Sequence, residues 1–90
     1  MPSSAFHYFV ASAVIVEIPC TLLGVILTSD ANPVLLTLTD ANSGGGTAVI
    51  CKISIPASST HSCMLSAPLA CSRGIQADLS ADAFCTLVVQ

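Results

Sequence analysis

Charge is what this chain lacks most: only 8% of its 90 residues are Asp, Glu, Lys or Arg, where an ordinary soluble domain carries roughly a quarter. Lys52 and Arg73 are its only Lys and Arg, and tryptophan is absent. Two cations and no tryptophan cannot make a phosphate-tracking groove with stacking platforms, which excludes nucleic acid as a partner. A polybasic patch for a membrane surface is excluded on the same ground, so no membrane partner is expected. Five carboxylates, Glu17, Asp30, Asp40, Asp78 and Asp82, leave a net charge of −3.

Reactive constellations are equally scarce. The five cysteines, at positions 20, 51, 63, 71 and 85, form no C-x-x-C and no zinc spacing. The aspartates sit mostly at strand ends or turns, where turn hydrogen bonding accounts for them, so no metal and no cofactor is expected. A hydrolase needs a nucleophile, a base and an orienting acid, yet there is no G-x-S-x-G, and His61 stands in the polar loop SSTHS with Asp78 and Asp82 distant in sequence. His61 reads as a solvated loop residue and His7 as a packed one; no catalytic residue is assigned. The loop NSGGG (Asn42 to Gly46) leads into a strand rather than a helix, and Lys52 lies well beyond Gly46. It is therefore a hairpin tip and not a phosphate cradle.

What the chain has is apolar residue, 53% of it, so disorder is excluded. With so few charges to cover it, part of the surface is expected to face something other than water in the working state. A domain this small also gains from a partner subunit. From Phe9 to Leu27 the chain is largely apolar, but Glu17, Pro19 and Gly24 interrupt it and no Lys or Arg precedes it. It reads as two strands rather than a signal peptide or a spanning helix.

Period-two alternation runs through most of the chain. PVLLTLTD and TAVICKISIP flank the Gly-rich loop as a hairpin, with Val49, Cys51, Ile53 and Ile55 on the expected inner face. Val14, Val16 and Ile18 are expected inward, and Ala13, Ile15 and Glu17 more exposed. Leu22 to Thr28 is apolar on both faces, as a central strand is. Cys63 to Ala67 is a short strand that Pro68 should stop. In the closing segments Ile75, Ala77, Leu79 and then Ala83, Cys85, Leu87, Val89 alternate inward. About eight short strands without helical periodicity predict an all-β domain, a small antiparallel sandwich or jelly roll, over residues 13–90. Residues 1–12 form an N-terminal arm carrying Phe6, Tyr8 and Phe9, aromatics that either close the core or meet a neighbour; they are the candidate interface residues. The cysteines fall mostly at inward positions and are expected to be reduced, as small buried hydrophobes in a reducing compartment.

Taken in order, Gly24 to Thr28, the hairpin Leu36 to Thr47 with its D-x-x-S-G-type closure, the K-I-S-I-P-A strand Lys52 to Ala57, and Arg73 to Leu79 resemble a group of small virion proteins of tailed bacteriophages. The similarity spans roughly residues 22–90; the extra glycines, the cysteines and the aromatic arm depart from it. The resemblance implies a non-enzymatic structural protein of the virion, assembled in the host cytoplasm. Its implied role is capsid decoration or cement, binding the major capsid protein as a homo-oligomer, a homotrimer foremost. A tail, baseplate or fibre module is the alternative, and a secreted carbohydrate-binding domain a more distant one.

Overall fold

A computed structural model describes residues 5–90. Eight antiparallel strands make two four-stranded sheets: β1 (Ala5–Phe9), β2 (Ala13–Val16), β3 (Cys20–Ser29), β4 (Val34–Asn42), β5 (Gly45–Ile55), β6 (Thr60–Cys71), β7 (Ile75–Leu79) and β8 (Ala83–Val89). The front sheet has the order β1-β8-β3-β6 and the back sheet β2-β7-β4-β5. Nested pairing explains this order. The β4–β5 hairpin lies innermost, and outward from it β3 pairs β6, β2 pairs β7 and β1 pairs β8. The chain is thus one long hairpin rolled into two sheets, the jelly-roll winding.

Between the sheets Leu22, Val25, Leu27, Val34, Leu36, Leu38, Ile75, Cys85 and Leu87 are all but excluded from water. The alternation predicted for β8 holds, with Ala83, Cys85, Leu87 and Val89 buried and Phe84 outside. So does that of β7, where Ile75 and Ala77 are buried and Leu79 packs against the core. All five cysteines are free thiols.

Three expectations need correction, each because a bulge or an edge breaks simple alternation. In β5, Leu38 pairs with Cys51 but Thr39 pairs with Val49, so Ile50 is an extra residue. The bulge turns Ile50 toward the core and Val49 outward, 55% exposed. In β2 the same device at Ile15, between Val14 and Val16, packs Ile15 against the core, and Ile18 lies outside the strand in water. In β6 the strand continues through Pro68 to Cys71. An edge strand tolerates the missing N–H, and the register breaks there, with Leu22 opposite Leu69 and Gly24 opposite Met64.

Within the expected N-terminal arm, Ala5–Phe9 is a strand of the front sheet, paired residue for residue with β8.

Among the described residues one polar side chain is deep in the fold. Ser29 is buried, its hydroxyl donates to the Pro56 carbonyl at 2.6 Å, and it accepts the Ser59 N–H at 2.9 Å. These bonds pin the β5–β6 turn beneath the end of β3. Ser29→Ala strands both partners, so a loss of about 1–3 kcal/mol is expected, read as a lower midpoint in urea with an unchanged slope.

Candidate functional site

The strands of the front sheet, AFHYF, CTLLGVILTS, THSCMLSAPLAC and AFCTLVV, contain no Asp, Glu, Lys or Arg. All seven charged residues of the chain lie on the back sheet or in connections. The register shows how the uncharged side chains align on the front sheet's outer face. One row runs Phe6, Val88, Gly24, Met64; the next runs Tyr8, Thr86, Ile26, Ser62; a third holds Phe84, Thr28 and Thr60. An extra residue, Leu23, between Leu22 and Gly24 sets the phase. It keeps Leu22 and Val25 both inward while Gly24 and Ile26 face out.

Most apolar side chains along these rows are well exposed, Phe6 75%, Tyr8 66%, Met64 62%, Phe84 46% and Ile26 39%, while Val88 is covered by its neighbours at 7%. Met64 lies across Gly24, where an added Cβ would meet its thioether; the missing side chain lets the methionine lie flat. Thr28 and Thr60 close the third row with a hydroxyl–hydroxyl bond of 3.2 Å. The back sheet's outer face contrasts with this, since there Lys52 and Asp78 flank Thr37, and Gln76 and Val49 flank Thr39.

Of the three aromatics expected at an interface, the structure brings Phe6 and Tyr8 onto this face. Phe9 points the other way and is buried in the chain's own core. Ile26, Met64 and Phe84 join Phe6 and Tyr8 on the face. The alternation of β8 marks Phe84 as outward, but only the strand order sets it beside β3 and β1.

Elsewhere the polar groups bind one another. The Glu17 carboxylate accepts the Ser43 N–H at 3.0 Å and the Ser43 hydroxyl at 2.7 Å. The Asn42 amide donates to the carbonyls of Glu17 and Arg73, at 3.2 and 3.0 Å. Asp40 accepts from the backbone N–H of Arg73 at 2.8 Å and from the N–H and hydroxyl of Ser72, both at 3.0 Å. The hairpin tip, the β2–β3 connection and the β6–β7 turn are thereby tied at one pole. The N–H donors of Arg73 and then Ser72 hold the Asp40 carboxyl below its ordinary 3.8.

A depressed folded-state value stabilises the fold above the unfolded value and ceases to as pH falls through the folded one. Asp40→Asn is therefore expected to lower the melting temperature at pH 7, and the gap to the natural protein should close as pH drops below about 4. Thermal melts of both chains from pH 7 to pH 3 check this.

The residues weighed for catalysis are not assembled into a site. His61 sits on the edge strand β6 opposite Leu27, and Asp78 on β7 opposite Thr37, in different sheets. Cys20 and Cys71 face each other across β3 and β6 beside an open depression of about 440 Å³, with Ser72 and Gln90 on its wall. Burial, with neighbouring Cys20 and Asp40, pushes the Cys71 thiol up to about 12, and burial also raises Cys20. Both are protonated at neutral pH and are poor nucleophiles. Among the described residues no three His, Cys, Asp or Glu side chains come together as a metal-ligand set.

Compared with known protein families, curated proteins and solved structures, the chain matches none of them. A functional reading therefore rests on its residues and their geometry.

Proposed function

We propose that the chain is a non-enzymatic structural protein of a bacteriophage particle, a decoration or cement protein that binds the major capsid protein and stabilises the shell. The observation that carries this reading is the front sheet's outer face, which exposes large apolar side chains and bears no charge, on a chain whose charges all lie elsewhere. Faces of this kind are costly to leave in water and are found where proteins meet one another. The ordered segments that resemble small phage virion proteins support the choice of particle. The jelly-roll winding supports it as analogy only, since viral shells share it with lectins and cupins.

The physical basis of such a role is linkage. A module that binds the assembled shell and not its free subunits stabilises the shell by its binding free energy. Copies repeated by the symmetry of the shell add avidity to weak contacts.

Quantitative mass spectrometry of purified particles tests this reading. A copy number within a few-fold of the major capsid protein is expected. A ratio far below parity would move the chain to the tail or one vertex, and its absence from particles would overturn the virion reading.

A further inference from the structure

We infer that the front sheet's outer face packs against the same face of a second copy, forming a two-fold dimer with four stacked sheets. The inference rests on the reading of the chain as an assembly protein and names the first partner in that assembly. Electrostatics is one argument. The chain carries net −3, so most ways of joining two copies bring like charges together. The front face joins them without removing a charge from water, because none of its four strands contains one.

Area is the other argument. With roughly 200 Å² for a whole aromatic side chain, the exposed parts of Phe6, Tyr8 and Phe84 leave about 370 Å² in water, and Met64 and Ile26 carry the total past roughly 500 Å². A stable dimer buries about 800 Å² on each partner, of which about 65% is apolar in homodimers. The apolar rows supply that share, and Thr28, Thr60, Ser62 and Thr86 between them supply the polar remainder.

Geometry suits the match. Two twisted sheets pack face to face about 10 Å apart with interleaved side chains, and this face alternates large side chains with Gly24 and threonines. A single patch that meets its own kind closes at two copies. The dimer therefore replaces the trimer expected from the resemblance, which would need two different patches.

Sedimentation equilibrium of the full chain from micromolar to millimolar concentration tests the inference, with circular dichroism to verify folding. A monomer–dimer equilibrium is expected. Thr86→Lys, in the middle row, should weaken it at least 100-fold, because the two-fold sets two lysines against each other, and Phe6→Lys should do the same. Thr39→Lys, on the back sheet's outer face, should leave it unchanged.

A monomer at all concentrations, a trimer, or a dimer indifferent to Thr86→Lys would overturn the inference. Failure here is separable from failure of the proposed function. A monomeric chain abundant in particles would remove the dimer and keep the virion role, with capsid protein as the face's occupant. A front-face dimer absent from particles would do the reverse.

Discussion

Gly74→Ala is expected to cost about 3 kcal/mol or more, a large share of the roughly 5–13 kcal/mol that holds a domain of this size together. Two faults coincide at this position. The backbone has φ of +147°, which L side chains rarely adopt, and a Cβ built there would collide with the Val16 carbonyl and lie 3.1 Å from that of Ala41. Both obstacles are backbone at the pole where the ends of β2, β4 and β6 are tied, so no side chain can swing aside to relieve them. The expected drop in melting temperature is about 12 °C or more.

Gly45→Ala is the control. Its φ is +126°, yet nothing lies within 4 Å of the added carbon, so only the conformational cost of about 1 kcal/mol applies. Equal melting temperatures for the two variants would show that the β6–β7 turn relaxes.

The second large effect separates the aromatics of β1. Phe9 is 8% exposed and belongs to the core cluster, whereas Phe6 is 75% exposed. Phe9→Ala removes a buried ring from between the sheets and should lose about 3–4 kcal/mol. Phe6→Ala should change the stability of the isolated chain by no more than about 0.5 kcal/mol while weakening self-association. Urea unfolding at low protein concentration measures both. Similar losses for the two variants would mean that Phe6 contributes to the core and not to an outer face.

These two rings also show how far the sequence could be read. In an extended AFHYF segment alternation sets Phe6 with Tyr8 and Phe9 with His7, and the structure shows this division. Which set faced the core depended on β8 lying alongside, a pairing of residues about 80 apart in the chain. The fold class was legible because turn residues and period-two runs are local signals. Bulges were not, since one extra residue at Ile50, Ile15 or Leu23 reverses the phase without changing composition.

Pro68 misled for a related reason. Its effect depends on whether the strand is central or at an edge, and strand order is a global property. The front face was legible only in part: scarcity of charge announced that some surface would be covered, but not which strands would share it. Asp40 lies in β4 close to its end, within what the reading of the aspartates as strand-end or turn residues allows, but the donors that engage it come from Ser72 and Arg73, far along the chain.

In the role proposed above, the outer face of the front sheet is covered when the protein works. Hydroxyl-radical footprinting, read residue by residue by mass spectrometry on the dilute chain and on the assembled particle, tests it most directly. Phe6, Tyr8, Met64 and Phe84 are expected to oxidise readily in the dilute chain and to be protected several-fold on assembly, while Leu35 and Val49 on the back sheet change little. Protection of Leu35 and Val49 with the four front-face residues still open to oxidation would contradict it.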